Sequence, residues 1–325
     1  MPGSTPMLDR PIGGDRAWVG GSIDRSQWLF PISADCLAEL QAAIDHHRSH
    51  PLPIILVEPG SFRLEACSVL VERVRRALDD GPGLALLDRL PLEEFGAAGG
   101  QLAYWLLGSL LARPVAQKFD GSAFLYEVKD TGRPVGNGVR RDSTNLEIRF
   151  HTDNAYNGAP PDYVGLLCVR PAKCGGVSQV TSFYTAHNAL LAHHRTTLRR
   201  LYQPFLFDRQ REHASGDSLV AANPIFRYRD GLRVQLAVSL IRAGYRLADQ
   251  EIDEEGDQAL RALDSVLDDM SCWQEFEFRP GQMQFLNNRT CGHKRTAFED
   301  DTDPNAMRLL IRLWLRDWGD RSYPG

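Results

Sequence analysis

The first 115 residues carry a mixture of helical and strand-like hydrophobic patterns. From Ser33, which is a good N-cap residue, apolar side chains recur at helical spacing. Further helices are predicted over 64–78 and 91–111, and short apolar runs predict strands at 53–57 and 83–90. This part of the chain is therefore predicted to mix helices with short strands.

After residue 115, short strand patterns dominate the chain. Two further stretches, 185–201 and 254–267, have helical spacing. Regularly spaced short strands are typical of a sandwich or a barrel, so we predict a mainly β fold with flanking helices. The strands are predicted at 124–128, 146–153, 162–170, 177–183, 204–207, 224–228, 232–236, 273–278, 283–286 and 307–315.

Composition narrows the class of protein. The 325 residues are 43% hydrophobic and 24% charged, with a net charge of −5, which fits a globular chain without a basic face for nucleic acid. The longest apolar stretch, 102–111, is shorter than the ~20 residues that span a membrane. The six cysteines form no C-x-x-C pair and no secretory leader is visible, so we expect a cytoplasmic protein.

The most informative tripeptide is His151-Thr152-Asp153. Residues i and i+2 of a strand point to the same face, so an imidazole and a carboxylate would project side by side. These groups are two thirds of the two-histidine, one-carboxylate triad of non-haem iron oxygenases. His293, just after a predicted strand, is the candidate third ligand, because the other histidines lie in charged helices or polar loops.

Two arginines follow His293 within one apolar strand. Arg308 and Arg312 are four residues apart, so both would face the same side of the strand. A buried arginine needs an anion, and its guanidinium can clamp a carboxylate through two hydrogen bonds. Ser178, just after a Gly-Gly turn, offers a hydroxyl for the same task. A surface stripe of ion pairs is the alternative interpretation of the arginines.

The chain resembles the TauD/TfdA family of Fe(II)- and 2-oxoglutarate-dependent dioxygenases over about residues 122–325. The resemblance lies in FHTDNAY (150–156), FLNNRTCGHKRTAFEDD (285–301) and RLLIRLWLRDWGDRSYPG (308–325). It implies a double-stranded β-helix, or jelly roll, within a single domain over 1–325, in which residues 1–120 pack on a core formed by 121–325. It also implies iron ligation by His151, Asp153 and His293, contact of Arg308 and Ser178 with the 2-oxoglutarate C5 carboxylate, and contact of Arg312 with the substrate's anionic group or the cosubstrate C1 carboxylate.

The resemblance further implies the reaction. Such an oxygenase uses Fe(II), 2-oxoglutarate and O2 to oxidise an unactivated C–H bond, with succinate and CO2 as co-products. The arginines favour a small anionic or zwitterionic, amino-acid-like substrate, with hydroxylation expected and desaturation or cyclisation as alternatives. A homo-oligomer is common among relatives. A zinc-dependent hydrolase and a non-catalytic jelly-roll binding module are the competing hypotheses, since zinc accepts the same ligands.

Further residues are candidates for contact with the substrate. Asn154 and Tyr156 directly follow the H-x-D tripeptide and are predicted to line the site. Arg149 lies two residues before His151 and could reach a substrate carboxylate, or else form a salt bridge with Glu147. Trp314 is assigned to the core. The loops 129–145, 154–162 and 209–218 are expected to form the mouth of the pocket.

Overall fold

The computed structural model describes residues 6–134 and 140–325. Helices form where the sequence predicts them in the first third of the chain, and Ser33 caps the first one by accepting a hydrogen bond from the Cys36 backbone N–H at 3.2 Å. The predicted helix over 91–111 forms at Leu92–Leu111 and is interrupted at Gly96, which has a φ of 71°. The helices are α1 (Ala34–Ser49), α2 (Glu65–Asp79), α3 (Leu92–Leu111), α4 (Phe183–His193), α5 (Arg195–Leu201), α6 (Val238–Leu247) and α7 (Glu254–Leu267).

Short strands occur along most of the chain, as the apolar runs predict. The run at 53–57 is an exception, because it forms a 3-10 helix over Ile54–Leu56 with Leu56 60% exposed. The strands are β1 (Leu29–Pro31), β2 (Leu84–Asp88), β3 (Arg113–Val115), β4 (Leu125–Val128), β5 (Ile148–His151), β6 (Tyr163–Arg170), β7 (Cys174–Gly175), β8 (Ser178–Ser182), β9 (Pro204–Asp208), β10 (Val220–Pro224), β11 (Phe226–Tyr228), β12 (Leu232–Val234), β13 (Trp273–Phe276), β14 (Met283–Asn287), β15 (Cys291–Arg295), β16 (Phe298–Glu299) and β17 (Leu309–Arg316).

Two sheets form the centre of the fold. The larger sheet has the order β1-β2-β14-β6-β17-β3, with β4 also paired to β17, and the smaller has the order β13-β8-β15-β5. Val180 of the smaller sheet shares one buried cluster with Leu286 and Leu310 of the larger sheet. The facing sheets therefore enclose an apolar interior, as the predicted jelly roll requires. Because β1 and β2 belong to the first 120 residues, the N-terminal part completes the larger sheet.

Helices cover the outside of this core. Leu40 of α1, Leu78 of α2 and Trp105 of α3 form one buried cluster with residues of the larger sheet. A second cluster joins α4, α5 and α7 to residues of β5 and β6. The predicted flanking helices are therefore present on both sides. Among the described residues, no helix has the length and apolar character needed to cross a bilayer.

Several element boundaries differ from the predictions. The predicted helix over 185–201 is two helices that meet at His194, and α6 was not predicted. The predicted strand at 146–153 ends at His151, so Asp153 lies in the turn that follows. His293 lies within β15 rather than after a strand. These differences change how the site is built, although they do not separate its residues.

Candidate active site

Strand pairing brings the predicted metal ligands together. His293 on β15 is directly opposite His151 on β5, and the two imidazole centroids are 4.2 Å apart. Asp153 follows after one residue, Thr152, whose backbone N–H donates to the Leu236 carbonyl at 2.8 Å. That hydrogen bond fixes the chain as it leaves β5. The turn after β5 therefore places the Asp153 carboxylate beside the two imidazoles, whereas the sequence predicts a strand that continues through Asp153.

The three side chains offer a compact set of donor atoms. One ligand atom from each of His151, Asp153 and His293 lies within 4.8 Å of the other two. Asp153 Oδ1 is 3.4 Å from His151 Nε2 and 3.7 Å from His293 Nε2. Two imidazole nitrogens and one carboxylate oxygen on one side of a point suit a divalent metal with open positions on its other side.

Hydrogen bonds fix which atoms face the centre. His151 Nδ1 is 2.9 Å from the Arg149 carbonyl, which can only accept, so Nδ1 is the donor of this hydrogen bond and Nε2 is the nitrogen that faces the centre. Asp153 Oδ2 accepts a hydrogen bond from Trp314 Nε1 at 2.6 Å and lies 3.4 Å from Arg312 Nη1. These contacts leave Oδ1 as the carboxylate oxygen that points to both imidazoles.

The protonation states favour a bound cation. Burial alone would raise the pKa of Asp153, but Arg312 and the neighbouring histidines hold that pKa well below its ordinary value, so the carboxylate is ionised. Burial, aided by nearby His151, lowers the pKa of His293 to about 3, so its imidazole is neutral at physiological pH. An ionised carboxylate beside the neutral His293 imidazole is the state that ligates a metal.

Two supporting residues escaped the sequence analysis. Trp314 was assigned to the core, and it is buried, but its indole also holds the Asp153 carboxylate. Asn288 accepts a hydrogen bond from the Asp153 backbone N–H at 2.8 Å and donates to the Asp153 carbonyl at 3.0 Å. The only sequence signal for Asn288 was a polar pair, Asn287-Asn288, directly after an apolar strand.

Arg308 is buried beside the Gly175-Gly176 turn that leads into Ser178. Arg308 is buried, and its Nε would be 3.4 Å from a Cβ added to Gly176, two residues before Ser178. Within the described residues, no carboxylate lies within 4.0 Å of the Arg308 guanidinium, and Nη1 has no hydrogen-bond partner. Burial lowers its pKa to about 10, so it is charged at neutral pH. Asp300 is a nearby carboxylate that favours the charged guanidinium, but it forms no ion pair with it among the described residues, so the guanidinium can bind a further anion.

Arg312 differs from Arg308 because it is already neutralised. Its Nη1 lies 3.2 Å from Asp142 Oδ2 and 3.4 Å from Asp153 Oδ2, and its Nε donates to Gln117 Oε1 at 2.8 Å. Burial opposes its charge, yet these two carboxylates raise its pKa. Nη2 is buried and has no hydrogen-bond partner in the part of the chain that the structure describes.

Asn154 and Tyr156, which follow Asp153 in the chain, both contact the Tyr323 hydroxyl. Asn154 has a positive φ of 57°, a left-handed conformation that turns the chain out of the strand direction. Its Oδ1 accepts a hydrogen bond from the Tyr323 hydroxyl at 2.8 Å, and Tyr323 also lies 2.7 Å from the Tyr156 hydroxyl. Asn154 Nδ2 is buried without a partner among residues 6–134 and 140–325.

The loops expected at the mouth meet beside these residues. A cavity of about 190 Å³ is lined by Tyr156 and Asn157 from one loop and by Arg209 and Glu212 from another. Glu212 forms ion pairs with Lys118, at 3.2 Å, and with Arg140, which belongs to the third predicted loop. Residues 135–139 of that third loop lie outside the described residues.

Arg149 does not join the site. Its side chain is 52% exposed, and Nη2 lies 2.9 Å from Asp268 and 3.7 Å from Asp264. Glu147, the alternative partner considered for it, forms an ion pair with Lys294 at 2.9 Å instead. Asp264 lies in the last turn of α7 and Asp268 is its C-cap residue, so the end of α7 supplies both partners of the Arg149 guanidinium. A contact between Arg149 and substrate is therefore not supported by this arrangement.

Comparison with known proteins agrees with this geometry. The family model described as "Taurine catabolism dioxygenase TauD, TfdA family" matches residues 48–314. FR-33289 synthase of Streptomyces rubellomurinus is 27% identical over 328 residues, which cover 98% of this chain and 94% of that protein. An asparagine oxygenase solved with Fe(II), 2S,3S-3-hydroxyasparagine and succinate has a TM-score of 0.65 and 18% identity, covering 91% of this chain and 94% of that one. The non-heme iron oxygenase OrfP, solved with Fe and alpha-ketoglutaric acid, has a TM-score of 0.64 and 14% identity, covering 89% and 94%.

Proposed function

This chain belongs to the TauD/TfdA family of dioxygenases, and from that premise we propose that it oxidises a small amino-acid-like metabolite with Fe(II), 2-oxoglutarate and O2. Family membership favours the dioxygenase over the zinc hydrolase and the binding module. The observation that carries the proposal is the cluster of His151, Asp153 and His293, whose free donor atoms converge within 4.8 Å. Such a donor set accepts Fe(II) and leaves positions open for other ligands.

Each of these residues has a distinct role in the proposed site. His151 and His293 ligate the metal through Nε2, and Asp153 ligates it through Oδ1. Trp314 and Arg312 hold Asp153 Oδ2, so the carboxylate keeps one oxygen for the metal. Support of this kind fixes ligand orientation and is needed for full metal affinity.

Arg308 is the proposed clamp for 2-oxoglutarate. Its unneutralised, buried guanidinium suits the carboxylate at the far end of this dianion. Val180 on β8 is directly opposite His293, and Ser178 lies two residues before Val180. At the rise of a strand, the Cα atoms of Ser178 and Val180 are about 7 Å apart. An extended five-carbon dicarboxylate would be long enough for such a span, so Arg308 would hold one of its carboxylates while the other end lies towards His151, Asp153 and His293.

When bound, iron with 2-oxoglutarate and O2 supplies the oxidising power to attack an unactivated C–H bond, with succinate and CO2 as co-products. The chain's own task is to position and to shield. The apolar interior around Val180, Leu286 and Leu310 keeps water from the cosubstrate site. Hydroxylation is the proposed outcome, and desaturation or cyclisation would use the same residues.

The substrate is proposed to be anionic or zwitterionic and to resemble an amino acid. Arg312 Nη2 and Asn154 Nδ2 are buried donors without partners among the described residues, and they suit a carboxylate. Asp142, paired with Arg312, could receive an ammonium group. The asparagine oxygenase and OrfP were solved with hydroxylated amino acids, which supports the same class of ligand here. Tyr156 would close one side of the pocket.

We also propose a cellular location and binding partners for the protein. All six cysteines are free thiols, which agrees with the reducing cytoplasm that we propose as location. The proposed partner is the small-molecule substrate, not nucleic acid. A homo-oligomer is proposed only by similarity to the family.

The test of the proposed function is anaerobic reconstitution with Fe(II) and 2-oxoglutarate, followed by visible absorption. We expect a weak charge-transfer band in the wild type and in Arg149→Ala, whose guanidinium lies at the surface. Arg308→Gln should still bind Fe(II) but lose the band at the same 2-oxoglutarate concentration. Binding of Fe(II) by the wild type without any band on addition of 2-oxoglutarate would overturn the proposal.

A further inference from the structure

One polar contact joins the two sheets inside the apolar core. Ser178 Oγ on β8 donates a hydrogen bond to Gln284 Oε1 on β14 at 3.0 Å. Gln284 is completely buried, and its Nε2 has no hydrogen-bond partner among the described residues. A buried amide that lacks a partner costs free energy. The neighbours of Gln284 on β14 are mostly apolar and, in the part of the chain that the structure describes, offer its Nε2 no side-chain acceptor. A bound ligand with an acceptor atom would satisfy it.

The Gln284 amide faces the same compartment as Arg308. Gln284 is paired with Leu166 across β14 and β6, and Leu166 is paired with Arg312 across β6 and β17. Directly paired residues share a face, so all three side chains project from one face of the larger sheet. Ser178 reaches this face from the opposite sheet, and Arg308 passes Gly176, two residues before Ser178. Gln284 Nε2 and Arg308 Nη1, which lack hydrogen-bond partners among the described residues, therefore lie beside positions two residues apart on the same segment, Ser178 and Gly176.

We propose that Gln284 is a cosubstrate-binding residue, whose Nε2 donates to the distal carboxylate that Arg308 clamps. Ser178 is then a positioning residue. Its single proton is donated to Gln284 Oε1, so it cannot at the same time be donated to the carboxylate. Ser178 holds the amide with Nε2 towards the ligand. This inference rests on the proposed function and assigns Ser178 a different role from the direct contact that the sequence predicts.

The test is calorimetric titration of 2-oxoglutarate into the Mn(II)-loaded enzyme, which needs no turnover. Gln284→Leu should raise the Kd for 2-oxoglutarate about 10- to 100-fold, the usual value of a hydrogen bond to a charged group. Its free energy of unfolding should fall by about 1–2 kcal/mol at most, because the variant loses the hydrogen bond from Ser178 but also removes the unpartnered Nε2 from the core. Gln284→Met, which keeps an unbranched side chain, repeats the test if the Leu variant folds poorly.

Two further variants separate the roles. Ser178→Ala should raise the Kd in the wild-type background but add little in the Gln284→Leu background, because the hydroxyl acts through the amide. Gln179→Leu is the matched control, since Gln179 is also buried but is the next residue on β8 and projects to the other face. Its Kd should stay at the wild-type value.

The outcomes distinguish this inference from the proposed function. Wild-type Kd in both Gln284 variants would overturn the inference alone. Equal effects of Ser178→Ala in the two backgrounds would also overturn it, because the hydroxyl would then be a direct donor. Failure of the wild-type Mn(II) enzyme to bind 2-oxoglutarate at all would overturn the proposed function, and the inference with it.

Discussion

Replacing Trp314 by phenylalanine would remove one hydrogen bond from the metal site and keep an aromatic ring in place. In the wild type, Trp314 Nε1 donates to Asp153 Oδ2 at 2.6 Å, and Arg312 Nη1 lies 3.4 Å from the same oxygen. Without the indole N–H, Arg312 is the remaining strong partner of the carboxylate. Its attraction then competes with the metal for the orientation of Asp153.

The size of the effect follows from the kind of contact that is lost. Residues that orient a metal ligand typically contribute about 10- to 100-fold to metal affinity. The equivalent free energy is about 1.4–2.8 kcal/mol, which agrees with about 1.5–3 kcal/mol for a hydrogen bond to a charged group. We therefore expect Trp314→Phe to weaken Fe(II) or Mn(II) binding by that factor.

The assay is a metal titration under anaerobic conditions, with Trp105→Phe as the matched control. Trp105 is also buried and also donates its Nε1–H, but to the Val57 carbonyl at 2.9 Å. Both variants should lose some stability because both lose a buried N–H contact and side-chain volume. Only Trp314→Phe should lose metal affinity. Equal metal affinity in the two variants would refute the reasoning.

Two further predictions concern stability. A Cβ at Gly165 would lie under 3.0 Å from the Tyr104 hydroxyl and the Phe285 ring, so Gly165→Ala should lower the free energy of unfolding in urea by about 1–3 kcal/mol. The control is Gly158→Ala, whose Cβ would have nothing within 4 Å and should lower it by less than about 0.5 kcal/mol. Equal losses in the two variants would contradict the packing around Gly165. Burial lowers the pKa of His187 from 6.5 to about 4, so the unfolded chain binds more protons there than the folded one, and this term destabilises the fold as pH falls from about 6.5 towards 4. The loss should reach roughly 3 kcal/mol in unfolding experiments and be absent in His187→Gln; the same slope in that variant would show that other groups cause it.

The three candidate metal ligands could be singled out from the sequence because metal ligation restricts residue type and spacing, and the structure brings them together. A metal site at His151-Thr152-Asp153 requires only that the imidazole and the carboxylate reach one point. The turn at Asp153 meets this requirement as well as the predicted strand would. His293 was singled out because the other histidines lie in charged helices or polar loops, and by the family resemblance, although β15 itself was missed. The segment CGHKR has no apolar alternation, so its strand depends on pairing with β8 and β5 rather than on its own pattern.

Other features depend on tertiary contacts that a hydrophobic pattern does not contain. A tryptophan in an apolar strand has the same pattern whether its N–H meets a carboxylate or another group, so the role of Trp314 was missed. The apolar run at 53–57 is too short to separate a strand from another local structure, and it forms a 3-10 helix. Arg149 was placed on the correct strand, but α7, far away in sequence, supplies its partners.

Succinate formation from 2-oxoglutarate by the Fe(II) enzyme, with a panel of amino acids as substrates, tests the central claim most directly. The wild type should form succinate in the presence of an accepted substrate. His151→Ala should form none while keeping the wild-type circular dichroism, and His193→Ala, altered at the exposed C-terminal end of α4, should match the wild type. Succinate formation at the wild-type rate by His151→Ala would contradict the account.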